Sequence, residues 1–464
     1  MIHVHLSIAS VEKKRLRISI SLPFQTNEFF IPAWRPGRYM AQWFSPLVKN
    51  MQGVDRCGGQ VKMRLVSDTC WKADQPIDRI TYEFEAKTFD GGGSWVGDDV
   101  LYLNPVNAVI YPKDGWQQEV EVTLDVPTDF QRVCGKPFQG DKVSFQDYDE
   151  LYDHPMVASS DLRKFEYSIE GTRFYSWFYG LKEKTWSTEW LAKNTEVFEK
   201  FSLAQFELFG SFPFEEFHFI TLVPEYSYYH GVEHLSSTML VLGPPERVLM
   251  DRPKDLWGVA SHELFHCWNI KTIRPASLLP YDFSKPQFSS LGYVYEGFTT
   301  YYGDEILLRS GVFSMEDWME EISARLLEHR NKPGRLEVSL ADSSMLTWMG
   351  GYDAKYTVER QSIYTEGMLN ALIIDVHLQK NTDGKIRLDD LMRRMYQDAQ
   401  EGKGYTRQSI LSHLYDLDPS THWRQHFEKY YYSPVDLTSD VLNCLEFWGI
   451  GHEWKGEELD LFAH

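Results

Sequence analysis

Two histidines four residues apart, with a glutamate directly after the first, form the most chemically informative part of the chain. They are His262, Glu263 and His266, in the run HELFH. On a helix, residues four apart lie on one face, so both imidazoles reach a single Zn²⁺ ion. Glu263 then faces the open side of the metal, where a carboxylate can accept the proton of a water molecule. Because so short a run also occurs by chance, a third ligand is needed to support the assignment.

That third ligand is predicted to be Glu296. Catalytic zinc keeps three protein ligands and one open position, and a glutamate from a following helix is a common solution. Glu296 stands in the apolar and aromatic run GYVYEGFTTYY, where an unpaired carboxylate would be costly to bury. A metal ion would remove that cost. The alternative is a glutamate at a helix start, stabilised by the helix dipole.

Several segments resemble one known family. HELFHCWNIKTIRP and the following YEGFTTYYGD resemble the glycyl aminopeptidase family of PDZ-bearing zinc metalloaminopeptidases, which are thermolysin-like peptidases with a glutamate as third zinc ligand. Four more segments match motifs of that family in the family's order: PAWRPGRY from Pro32, DYDEL from Asp147, GVEH from Gly231 and YTEG from Tyr364. The resemblance implies a zinc-dependent aminopeptidase that acts on peptides with a free amino terminus and prefers small first residues such as glycine or alanine.

The resemblance also implies roles outside the metal-binding segments. Glu233 would receive the substrate ammonium through a charge-assisted hydrogen bond, and Gly231 would let the substrate backbone approach closely. The alternative for Glu233 is an ordinary exposed loop glutamate. Tyr364 would donate a hydrogen bond to the oxyanion formed during hydrolysis. Three further residues match family positions and are expected to hold the loop after the zinc helix, with substrate binding as the alternative: Asn269, Lys271 and Arg274.

Two features depart from the family pattern. The residue before the glycine of YTEG is Glu366, where the family has lysine. This reverses a charge near the expected site and leaves the substrate preference open. The segment after the last match contains no evident glycine-rich carboxylate-binding loop, so we expect no PDZ domain in this chain.

Two other functions fit parts of the same pattern. A zinc endopeptidase would use the same metal and the same base, but Glu233 would have no amine to bind. A non-catalytic peptide-binding protein on the same fold is the other alternative. The intact HELFH and Glu296 argue against it, because a binding protein need not keep the general base.

Composition and charge argue against several kinds of partner. The 464 residues include 47 basic and 67 acidic side chains, for a net charge of -20, which argues against binding to nucleic acid or an anionic membrane. No stretch is apolar over the length that a membrane-spanning helix needs. The amino terminus lacks a signal-peptide pattern, and the five cysteines are scattered, so a cytoplasmic protein with reduced thiols is expected. The sequence does not predict the oligomeric state.

Apolar residues alternate with polar ones in several N-terminal segments, for example at Ile2, Val4 and Leu6. This period of two predicts antiparallel sheets with one buried face. Helical spacing begins near residue 188 and dominates after about residue 330. We therefore predict an α+β fold in three parts: an N-terminal β-sheet domain (1–165), a thermolysin-like catalytic domain with the zinc helix (166–330) and a helical C-terminal region (331–464) that contributes Tyr364.

Overall fold

The computed structural model describes residues 1–181, 186–246, 252–350 and 360–463. Strands predominate up to Gly243, and helices predominate from Pro253 onward. The predicted α+β class, with a β-rich N-terminal part and a helical C-terminal part, is confirmed. Among the described residues, no helix is both long and apolar enough to cross a lipid bilayer.

The chain forms two compact units, and each contains more than one segment of the sequence. The first unit consists of Met1–Leu191, Phe214–Pro253 and Tyr281–Pro286. The second consists of Ala192–Pro213, Lys254–Pro280 and Gln287–His464. The predicted domain borders at residues 165 and 330 stay predictions.

A nine-stranded sheet opens the first unit. Its predicted strands are present, and inward residues such as Ile2, Val4 and Ile20 are buried. Val4 pairs with Ile20 on one side and with Val122 on the other, so one continuous apolar face forms, as period two requires. The strands along its main path are, in spatial order, Lys142–Phe145, Val120–Asp125, Ile2–Ser10, Arg15–Phe30, Cys70–Glu85, Val48–Val54 and Gln60–Val61. Two more pair at its margins: Tyr111–Pro112 and Met63–Ser67.

Two five-stranded sheets complete the first unit. The strands of one are, in spatial order, Gln131–Val133, Met156–Ser159, Val100–Leu103, Ser94–Val96 and Lys87–Thr88. Those of the other are Arg163–Ile169, Thr172–Tyr179, Glu216–Leu222, Ser237–Gly243 and Tyr228–Glu233. The central strand of the latter, Glu216–Leu222, runs parallel to both neighbours and is almost entirely buried, as expected for a strand covered on both faces. The strand Tyr228–Glu233 is an edge strand. The unit also has short helical segments: Ser45–Leu47, Pro105–Ala108 and Tyr148–Tyr152.

Helices build most of the second unit, and a long helix, Thr188–Phe209, leads into it. The others are, in chain order, Pro253–Phe265, Ala276–Leu278, Tyr293–Phe298, Thr299–Arg309, Met315–Asn331, Pro333–Leu336, Leu340–Trp348, Thr365–Asn381, Leu388–Gln400, Arg407–Leu417, Trp423–Tyr430 and Thr438–Phe447. The helix Thr365–Asn381 is buried on every side along most of its length, which identifies it as the core helix of this unit.

A β-hairpin formed by Ile450–Lys455 and Glu458–Ala463 follows the last helix. Its presence differs from the predicted helical character of residues 331–464. The strands are short, and one of them, ELDLFA, has only a brief alternation of apolar and polar residues. The hairpin is held to the helix Met315–Asn331, where the Ser323 hydroxyl donates to the Leu459 carbonyl at 2.6 Å.

Candidate metal centre and its surroundings

His262 lies in the last turn of the helix Pro253–Phe265, which we call the zinc helix, and His266 follows directly after its last residue. This helix is anchored on the helix Thr188–Phe209, where Gln205 donates to the carbonyl of Ser261 at 2.8 Å. On its other side the Ser261 hydroxyl donates to the carbonyl of Gly303 at 2.9 Å. Gly303 lies in the helix Thr299–Arg309. A Cβ atom at this position would lie 3.3 Å from the Cα of His262, so the absence of a side chain allows this helix to pack closely on the zinc helix.

Glu296 lies in a π-helical turn, Tyr293–Phe298, that continues into the helix Thr299–Arg309. Such turns are rare and occur frequently at functional sites. All six residues of the turn are buried. The turn therefore presents a carboxylate inside the second unit, where it requires a compensating partner.

The structure brings the three predicted ligands together. The Nε2 atoms of His262 and His266 are 3.0 Å apart. Oε2 of Glu296 is 3.4 Å from Nε2 of His266 and 3.7 Å from Nε2 of His262. In tetrahedral zinc coordination, bonds of about 2.0 Å place neighbouring ligand atoms about 3.3 Å apart. The three atoms therefore have the spacing of three ligands of one ion, with the fourth position left for another group.

A hydrogen bond at its second ring nitrogen fixes the orientation of His266. Its Nδ1 atom is 2.7 Å from the carbonyl oxygen of Asn269, so Nδ1–H donates there and the lone pair of Nε2 remains for a metal. The buried Asn269 amide in turn donates to the carbonyl of Val294 at 2.8 Å and to the Thr299 hydroxyl at 3.1 Å. Asn269 thus ties the loop after the zinc helix to the Glu296 segment. Sequence reasoning missed Thr299, because a threonine in a helix carries no distinctive signal.

The protonation states of the ligands suit a cation. Burial lowers the pKa of His262 to about 4, with the charge of His266 adding to the effect and Glu296 opposing it. Burial alone would raise the pKa of Glu296, but the charge of His266 and hydrogen bonds from both imidazoles lower it below its ordinary value. Near neutral pH, His262 therefore presents a lone pair and Glu296 a negative charge, the forms in which these groups bind zinc.

Glu263 lies on the zinc helix and is 5% exposed. One of its carboxylate oxygens lies within 4.8 Å of a ring nitrogen of His266. The structure thus places the predicted general base beside a predicted metal ligand. Its catalytic role stays a prediction.

Tyr364 directly precedes the core helix Thr365–Asn381 and is partly buried. Its segment packs closely on the segment of Glu296. A Cβ atom on Gly297 would lie 2.3 Å from the Cα of Gly367 and 2.9 Å from the carbonyl oxygen of Ile363. Direct backbone contact therefore fixes the start of the core helix next to Glu296, the predicted third ligand, and the role of Tyr364 as oxyanion donor stays a prediction.

Glu233 and Gly231 lie in the first unit, on the edge strand Tyr228–Glu233. Glu233 is 2% exposed, so it is not the exposed loop glutamate that the alternative interpretation required. Its Oε1 atom accepts a hydrogen bond from the Tyr39 hydroxyl at 3.2 Å. Gly231 is partly buried and pairs with Leu240 of the neighbouring strand.

Glu366, which stands where the family has lysine, is fully buried on the core helix. Its Oε1 atom is 3.3 Å from Nδ1 of His329. The Nε2 atom of His329 accepts the backbone N–H of Leu437 at 2.9 Å, which leaves the proton on Nδ1 to be donated to Glu366. Glu366 is therefore held inside the helical unit by a histidine that sequence reasoning did not single out.

Comparison with solved structures shows which class of protein has this fold. An aminopeptidase N family protein from Idiomarina loihiensis matches with 21% identity and a TM-score of 0.89, covering 98% of this chain and 79% of that chain. An M1 zinc metallopeptidase from Deinococcus radiodurans matches with 12% identity and a TM-score of 0.52, covering 96% and 92%. Yeast LTA4 hydrolase matches with 14% identity and a TM-score of 0.56, covering 94% and 67%. The fold is that of zinc metallopeptidases.

Two family models define the relationship more closely. The M61 glycyl aminopeptidase model matches residues 255–370, and the Peptidase M61 N-terminal domain model matches residues 3–160. The chain belongs to the M61 glycyl aminopeptidase family and is a metallopeptidase, which confirms the predicted family. A search among curated proteins found no match.

Proposed function

We propose that the protein is a zinc-dependent aminopeptidase that removes a small N-terminal residue, such as glycine or alanine, from peptides. The observation that carries the proposal is the convergence of His262, His266 and Glu296 to distances of 3.0–3.7 Å between their ligand atoms. Membership of the M61 glycyl aminopeptidase family supports the reaction type.

The residues divide the chemistry among them. His262, His266 and Glu296 would hold Zn²⁺, which would act as a Lewis acid and lower the pKa of water. Glu263 accepts a proton from the attacking water at its carboxylate and returns it to the amine that leaves. The hydroxyl of Tyr364 donates a hydrogen bond to the oxygen on which negative charge develops. Glu233 binds the ammonium of the substrate, so cleavage requires a free amino terminus.

Two features support a peptide with a free amino terminus as the substrate. Glu233 is buried at the end of an edge strand, and such a strand can pair with an extended peptide through main-chain hydrogen bonds. A similarly folded metallopeptidase mutant from Deinococcus radiodurans has a Tyr-Ser-Ala substrate bound. A substrate ammonium would compensate the buried carboxylate of Glu233 through a charge-assisted hydrogen bond.

The test is a comparison of free and N-acetylated dipeptide amides with the same sequence, with and without a chelator. We expect the free substrates to be cleaved and the acetylated ones to be cleaved at least about tenfold more slowly, because leaving the buried Glu233 carboxylate unpaired costs about 1–3 kcal/mol. The chelator should abolish cleavage of both. Equal rates on both substrates would contradict the aminopeptidase assignment and favour a zinc endopeptidase. Activity that survives complete metal removal would contradict the metal assignment.

A further inference from the structure

The carboxylate of Glu233 is engaged by a tyrosine from a distant part of the first unit. The Tyr39 hydroxyl donates to Oε1 at 3.2 Å across a sequence separation of 194 residues. Tyr39 is fully buried, so its side chain has little freedom to leave this position. A single phenol proton aimed at one carboxylate oxygen restricts the rotation of that carboxylate.

Gly37, two residues before Tyr39, confines the other oxygen. A Cβ atom at this position would lie 2.7 Å from Oε2 of Glu233 and 2.8 Å from a methyl carbon of Val232. The glycine backbone therefore lies directly against the carboxylate. Its φ of +74° is one that other residues rarely adopt. Tyr39 and Gly37 thus hold the carboxylate from two sides.

The main chain after Glu233 is held by a separate set of contacts. Oδ2 of Asp153 accepts the backbone N–H of Leu235 at 2.9 Å, and Oδ1 lies 3.2 Å from Nδ1 of His234. Glu233 itself pairs with Thr238 of the neighbouring strand. Because these contacts do not involve Tyr39, removing the phenol hydroxyl should release the carboxylate without displacing the strand.

We propose that Tyr39 is a positioning residue, which sets the orientation in which Glu233 meets the substrate ammonium. The inference rests on the proposed function of Glu233. Tyr39 belongs to the segment PAWRPGRY, for which the family resemblance implies no step of the reaction. Tyr39 does not touch the scissile bond in this account, so its loss should weaken substrate binding far more than turnover.

The test is Tyr39→Phe, which removes the hydroxyl and keeps the ring. For a free alanyl dipeptide amide we expect kcat/KM to fall about tenfold, mostly through KM, because a hydrogen bond to a charged group is lost. The N-acetylated substrate, which offers no ammonium, should be cleaved at the parent rate, and zinc content should stay the same. The matched control is Tyr82→Phe, since Tyr82 is a buried tyrosine of the same unit that donates to the Ala108 carbonyl at 2.7 Å. That variant should keep the parent ratio of free to acetylated rates.

A second variant provides an independent test in case Tyr39→Phe does not fold. Gly37→Ala places a methyl group against Oε2 of Glu233, so it should also lower kcat/KM for the free substrate alone. Its control is Gly58→Ala, at another glycine with positive φ, where an added Cβ would meet nothing within 4 Å.

The outcomes separate this inference from the proposed function. If the parent enzyme discriminates free from acetylated substrates, and both Tyr39→Phe and Gly37→Ala keep the parent ratio of free to acetylated rates, the role of Tyr39 is overturned and that of Glu233 is not. A parent enzyme that does not discriminate would overturn the role of Glu233 and, with it, that of Tyr39. A fall in the ratio for these two variants, but not for their controls, is the expected result.

Discussion

The contact between Gly297 and Gly367 joins the segment of Glu296 to the segment of Tyr364, and Gly367→Ala should disturb that contact. A Cβ atom at Gly367 would lie 2.6 Å from the Cα of Gly297, 2.9 Å from the Tyr293 carbonyl oxygen and 3.2 Å from the Tyr293 Cα. These are backbone atoms, which cannot rotate away. Since carbon atoms settle about 3.5–4.0 Å apart, the two segments would have to separate by roughly 1 Å.

Two effects follow from such a separation. Overpacking of this kind costs about 1–3 kcal/mol of the free energy of unfolding. A displacement of about 1 Å in a catalytic arrangement can cost about a hundredfold in rate. We therefore expect Gly367→Ala to unfold at lower denaturant concentration and to lose about a hundredfold in kcat/KM on an alanyl dipeptide amide. Gly258→Ala is the matched control, because a Cβ on that zinc-helix residue would meet nothing within 4 Å, and alanine there should be neutral or stabilising by up to about 1 kcal/mol. Parent-like stability and activity of Gly367→Ala would refute this reasoning.

Three further variants test Glu263, Glu366 and Asp304 separately. Glu263→Gln should retain zinc but lose about a hundredfold to ten-thousandfold in kcat, because an amide cannot accept the proton of water; parent-like turnover would show that the base is elsewhere. Glu366→Gln should keep the ranking of kcat/KM among glycyl, alanyl and leucyl amides, since the side chain is fully buried against His329; an altered ranking would place Glu366 in substrate selection. Burial raises the pKa of Asp304 from its ordinary 3.8 to about 7, so between about pH 4 and pH 7 this carboxyl group holds a proton in the folded metal-free protein that it has lost in the unfolded chain, and its contribution to the free energy of unfolding should fall as pH rises, by up to about 4 kcal/mol. Asp304→Asn should remove this fall, as measured by urea unfolding at pH 5 and pH 7.5, and an unchanged difference between the two pH values would contradict it.

Local sequence patterns predicted the cluster of His262, His266 and Glu296 and much of the sheet structure. The spacing of His262 and His266 placed both imidazoles on one helix face, and the cost of burying Glu296 pointed to a cation partner. Their ligand atoms do converge. Period two at Ile2–Ser10 likewise predicted a strand with one buried face, because burial alternates with the pleat.

Other features lay beyond local patterns. Glu233 and Tyr364 were assigned through family resemblance, since a glutamate or a tyrosine alone has no distinguishing signal. The Tyr39 partner of Glu233 and the His329 partner of Glu366 are separated from them by 194 and 37 residues. Such contacts depend on how distant segments pack, which hydrophobic periodicity does not encode. Glu366 stands where the family has lysine; its carboxylate is fully buried and paired with His329, and its effect on substrate preference stays a prediction.

The central claim is that His262, His266 and Glu296 bind one catalytic zinc ion. Zinc X-ray absorption spectroscopy on the purified protein, with the metal content quantified on the same sample, tests it most directly. We expect about one zinc per chain, with two imidazole nitrogens and a carboxylate oxygen at about 2.0–2.2 Å and a further light ligand in the fourth position. A protein that takes up no zinc, or zinc bound through cysteine sulfur at about 2.3 Å, would contradict it.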